Sequence, residues 1–106
     1  MRVRARRDAN HRDIVEGLRD AGCSVLDLSQ LGHGVPDILV GSRGTNYLLE
    51  IKSLNERLKM SDGAARSLVR QQAWFTMWRG GEVRVVTSLS EALNAVGVRT
   101  AAIKAK

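Results

Sequence analysis

The spacing of apolar and polar residues predicts a fixed order of elements along this chain. Ile14, Val15, Leu18 and Ala21 recur on one helical face, with Asp8 or Asn10 as the N-cap and Gly22 as the stop. Ser24 to Leu28 alternates apolar and polar and predicts a first strand. Gln30 to Gly34 is a glycine-rich connector. Val35 to Val40 is a short apolar run and predicts a second strand, with Pro36 at its start, where a missing N–H is tolerated. Gly41 to Asn46 predicts a hairpin turn, and Asn46 to Lys52 a third strand. Ser53 to Gly63 is polar and predicts a surface loop. Ala64 to Arg79 predicts a second helix, which Gly80-Gly81 stops. Val83 to Thr87 predicts a fourth strand, and Glu91 to Val96 a last helix, capped by Ser88 or Ser90 and ended by Gly97.

This order defines a fold class. The short turn between the second and third strands implies an antiparallel pair. The helix between the third and fourth strands fits a parallel crossover. The expected architecture is α/β, a mixed sheet with flanking helices. At 106 residues the chain forms one domain, 1–106, with a basic arm at 1–7 and a basic tail at 98–106.

Composition narrows the partners. The formal charge of +6 and a pI near 10.4 point to a polyanion, for which nucleic acid is the usual case. Cys23 is the single cysteine, which excludes an internal disulfide and a cysteine-based zinc site. No apolar run approaches the length of a membrane span, and no apolar stretch follows the N-terminal arginines as a secretory signal would require. A cytoplasmic location is expected.

The chemistry is concentrated in three charges. Asp37 follows Pro36 in Val35-Pro36-Asp37-Ile38-Leu39-Val40-Gly41, and Glu50 and Lys52 close Tyr47-Leu48-Leu49-Glu50-Ile51-Lys52. An unpaired charge inside an apolar strand is heavily penalised, so such charges are paired or bind a metal. Residues two apart on a strand share a face, so Glu50 and Lys52 project together. Alone they read first as an ordinary cross-strand ion pair on a solvated face. With Asp37 one hairpin upstream, they read as a Mg²⁺ or Mn²⁺ site for phosphodiester hydrolysis. Asp37 and Glu50 supply carboxylates and the Ile51 carbonyl a third oxygen. Lys52 orients or deprotonates the attacking water, or holds a phosphate oxygen. Arg43, Arg57, Lys59, Arg66 and Arg70 are candidate phosphate contacts, and binding is expected to be salt-sensitive. Trp74, Phe75 and Trp78 fall at helical spacing, as core packing, a dimer seam or a base-stacking platform.

The Pro-Asp and Glu-x-Lys pieces, followed by a helix opening with Gln71 and Trp74, resemble the VRR-NUC group of the PD-(D/E)XK nuclease superfamily. The resemblance spans roughly 8 to 97 and is to the stand-alone bacterial and phage type. It implies an αβββαβ restriction-endonuclease-like core and a metal-dependent endonuclease. It also implies a homodimer acting on branched DNA such as Holliday junctions, with Asp37, Glu50, Lys52 and Gln71 as the catalytic set. Gln71 would contact a phosphate or a water at the metal, with Gln72 its neighbour by a one-residue slip. Related nucleases often carry a first-helix glutamate that reaches the metal. Here that region offers His11, with Asp13 and Glu16 nearby, so His11 and Glu16 are possible contributors. That departure motivates an alternative, a DNA-binding protein of the same fold with weak or lost catalysis.

Overall fold

The computed structural model describes residues 2–53 and 71–98, with side chains from residue 9 onward. Helix α1 (Arg2–Asp20) leads into strand β1 (Ser24–Asp27). Strands β2 (Ile38–Ser42) and β3 (Thr45–Ile51) form a hairpin. Helix α2 covers 71–77 of the described residues, followed by strand β4 (Val83–Val86) and helix α3 (Leu89–Ala95). The sheet order is β1-β2-β3-β4. The first two pairings are antiparallel and the third is parallel. This is the mixed sheet that the sequence predicts. No helix among the described residues is long and apolar enough to cross a membrane.

Several boundaries move. The helix begins at Arg2 rather than at Asp8 or Asn10, so the arginine run continues the first helix instead of forming a separate arm. Arginine is a good helix former, and a strong core anchor further along can extend a helix through it. Strand β2 starts at Ile38, because Pro36 has no N–H for the ladder and Asp37 bends away. The hairpin turn shrinks to Arg43-Gly44, with φ of 53° and 80°. Two successive positive φ values make the I′-type connection that matches strand twist, and glycine takes its position without a Cβ penalty. Ser88 is the cap of α3: its Oγ accepts from the Glu91 amide at 3.1 Å. The predicted residues of the second helix before 71, and the loop beyond Ser53, lie outside the described residues.

The core lies on one face of the sheet. Ile38, Val40, Leu49, Ile51 and Val86 project from it. Ile14, Val15 and Leu18 of α1 and Ala92, Leu93 and Val96 of α3 cover them. Each fully buried aliphatic side chain here contributes roughly 1.5–3 kcal/mol. The two helices approach closely at Gly17, where an added Cβ would lie 2.3 Å from Leu89 Cδ2. Gly17→Val is therefore expected to lower stability by about 2 kcal/mol through overpacking. A urea midpoint equal to that of the wild type would contradict this packing.

Candidate active site

The second face of the sheet carries the charges. Ile38 opposes Leu49 at the last hairpin pair, so one step further Asp37 comes opposite Glu50. Both lie at the end of the ladder, where the chain bends. The Ile51 amide donates to Asp37 Oδ2 at 2.7 Å, which fixes the carboxylate in the gap between β2 and β3. Lys52 Nζ lies 3.3 Å from Glu50 Oε2, and Gln71 Nε2 of α2 donates to the same oxygen. Asp37, Glu50, Lys52 and Gln71 are thus gathered in one place, from two strand ends and one helix. Gln72, the alternative in the slip, is exposed.

Glu50 is 1% exposed. Its Oε1 is buried and has no hydrogen-bond partner among the described residues. Burial is the main force on this carboxyl, and the nearby Asp37 charge adds to it. Together they outweigh Lys52 and Gln71 and push the pKa up to about 7. Beyond Lys52, a carboxylate in this position lacks the positive charge that would offset its burial. A hard divalent cation on the Oε1 side would supply it, and two carboxylates with a backbone carbonyl match the oxygen ligands such ions take. Among the described residues no group of three or more His, Cys, Asp and Glu side chains is assembled. The acidic part of the site is the Asp37–Glu50 pair.

The first-helix candidates lie elsewhere. His11 Nε2 is 3.0 Å from Asp27 Oδ2 on β1, and Glu16 is exposed. Asp27 Oδ1 accepts from the Ser29 amide and hydroxyl at 2.8 and 2.6 Å. Burial raises the Asp27 pKa, but the Ser29 and His11 interactions outweigh it and hold the carboxyl below its usual value. Arg43 is exposed at the hairpin tip, while Arg57, Lys59, Arg66 and Arg70 lie outside the described residues. Trp74 and Trp78 stack with centroids 4.8 Å apart. With Leu28, Leu39 and Leu48 they line a cavity of about 410 Å³ on the second sheet face.

Asn10 carries no functional signal in the sequence beyond its capping chemistry. Its Nδ2 donates to the carbonyls of Lys52 and Thr87, both at 3.3 Å. It ties α1 to the ends of β3 and β4, directly behind Lys52. Its partners are 42 and 77 residues away, so no local pattern announces the contact.

A mixed sheet whose central hairpin sets an aspartate against a Glu-x-Lys strand end is the arrangement of the PD-(D/E)XK nucleases, and this chain is a nuclease of that type. More narrowly, it belongs to the archaeal Holliday junction resolvase (Hjc) family, whose model matches residues 2–99. The chain is also similar to a solved structure titled VRR_NUC domain. The two share 27% identity at a TM-score of 0.55, over 83% of this chain and 90% of that one. No curated protein matches the chain. Nucleases of the PD-(D/E)XK superfamily generally use divalent metals.

Proposed function

We propose that this protein is a Mg²⁺- or Mn²⁺-dependent endodeoxyribonuclease that hydrolyses branched DNA, a Holliday junction in particular. The observation that carries the reading is the buried Glu50 Oε1 beside Asp37, which has no hydrogen-bond partner among the described residues. A structural ion pair would use both carboxylate oxygens, because leaving one buried and unpaired costs about 1–3 kcal/mol or more. A bound divalent ion stabilises developing phosphoryl charge as a Lewis acid. Asp37, Glu50 and the Ile51 carbonyl would hold it.

The chain's own groups do the rest. Ile51 N–H and Gln71 Nε2 fix the two carboxylates, so little reorganisation is needed when substrate arrives. Lys52 has three donors on a flexible stem. One faces Glu50 Oε2, which leaves donors to hold a water or a phosphate oxygen at the scissile bond. The net charge of +6 draws the polyanion in, and recognition is by DNA shape. A homodimer sets two such sites on opposed strands, as symmetric cleavage of a junction requires.

The test is cleavage of a four-way junction and of a linear duplex of the same sequence, with Mg²⁺ and with EDTA. Wild type is expected to cut the junction only with metal, and Asp37→Ala to bind the junction without cutting it. Equal cutting by wild type and Asp37→Ala would refute the assignment. Junction binding with no cutting by either protein would favour the DNA-binding alternative.

A further inference from the structure

We infer that Pro36 is a positioning residue for the metal site: having no N–H, it leaves the Ile51 carbonyl open toward the carboxylates. The inference rests on the metal-site reading above.

Strand alternation decides which backbone groups face β3. In an antiparallel pair, opposed residues alternate between exchanging two backbone hydrogen bonds and exchanging none. The Leu28 amide donates to the Asp37 carbonyl at 2.7 Å, so Asp37 turns its backbone groups toward β1. Its neighbours Pro36 and Ile38 therefore turn theirs toward β3. On the register Ile38↔Leu49 and Val40↔Tyr47, these are the hydrogen-bonded pairs, and the next one out would be Pro36 with Ile51.

The other strand gives the same answer. The Lys52 amide donates to the Val86 carbonyl at 3.0 Å, so Lys52 faces β4 and Ile51 faces β2. The Ile51 amide does face β2, where it meets Asp37 Oδ2. In a strand the N–H and C=O of one residue leave on the same side, so the Ile51 carbonyl is directed that way too.

In an ordinary ladder the residue opposite Ile51 would accept from its N–H and donate to its C=O. At this position the Asp37 carboxylate has taken the accepting role. Pro36, which the register carried one pair further would place there, is fully buried and has no N–H to donate. Every other amino acid would bring an N–H to that place. Proline thus ends the ladder one pair early and converts a structural acceptor into an available ligand, beside the two carboxylates.

The test is Mn²⁺ affinity by calorimetry, with no substrate present. Pro36→Ala restores the donor and is expected to weaken Mn²⁺ binding about ten-fold, the scale of effects from groups that support metal ligands. Its circular dichroism should match the wild type. Unchanged affinity in a folded Pro36→Ala protein would overturn the inference. If that variant does not fold, the Ile51 carbonyl ¹³C resonance of wild type decides the matter. A selective shift on adding Mg²⁺ supports an open carbonyl, and no shift overturns it. Asp37→Ala and Glu50→Gln separate the two readings. If both bind Mn²⁺ like wild type, the metal site itself is wrong. If both lose binding while Pro36→Ala keeps it, the proline inference alone fails.

Discussion

At pH 8 without divalent metal, Glu50→Gln is expected to melt about 5–10 °C above wild type, and to gain nothing when Mn²⁺ is added. The carboxyl is buried, one of its oxygens has no partner among the described residues, and its pKa rises from 4.5 to about 7 on folding. A folded-state value above the unfolded one means that the native state binds the proton more tightly. Native stability from this group is therefore fully present below pH 4.5 and is lost as pH rises through 7. The shift corresponds to on the order of 3 kcal/mol between the protonated and ionised forms. Glutamine resembles the protonated form, can still accept from Gln71 and Lys52, and recovers about 2 kcal/mol of that difference. The two proteins should therefore melt alike near pH 4.5 and diverge above it. Metal is expected to reverse the ranking, because a cation held by Glu50 and Asp37 would bind only the native state and would stabilise wild type by about 2.7 kcal/mol at a hundred times its dissociation constant. Thermal melts from pH 4.5 to 8, with and without Mn²⁺, measure all of this. A wild type that is more stable than Glu50→Gln at pH 8 in EDTA would show that the ionised carboxylate is satisfied by the protein alone.

The second large effect concerns Lys52. Lys52→Ala is expected to lower the single-turnover rate of junction cleavage by about 10²–10⁴, the range for a positioned proton-transfer or water-orienting group. Junction affinity should change by no more than about two-fold. Lys52 is 12% exposed and is one of 17 basic residues, so it contributes little to the overall attraction for phosphate. A second consequence separates a chemical role from a packing one. Lys52 opposes the rise in the Glu50 pKa, so its removal should move the Glu50 titration to higher pH. The melting profile of Lys52→Ala should then begin to fall at a higher pH than that of wild type. A cleavage rate within a few-fold of wild type would remove Lys52 from the reaction.

The reach of sequence reasoning here follows the range of the interactions. Period and turn chemistry act over a few residues, so the strands, the Arg43-Gly44 turn region, the Ser88 cap and the core positions of the first helix were legible. Ladder ends were less so. Whether β2 starts at Val35 or Ile38 depends on which groups the neighbouring strands present, and Pro36 matters there only because Ile51 is opposite. The helix start at Arg2 was missed, since an arginine run carries no apolar period of its own.

What the chain determined by itself is the set of residues that must be reconciled: an aspartate and a glutamate in apolar strands, with a lysine two positions on. Burial of such charges is expensive wherever they go, so composition and spacing mark these residues as a candidate site. What only the tertiary structure decided is which partners satisfy them. The hairpin register set Asp37 against Glu50, and α2 brought Gln71 to one glutamate oxygen while the other has no partner among the described residues. Asp27 claimed His11, and Asn10 tied the first helix to the strand ends. Those choices depend on contacts between residues far apart in the chain, and no local pattern encodes them.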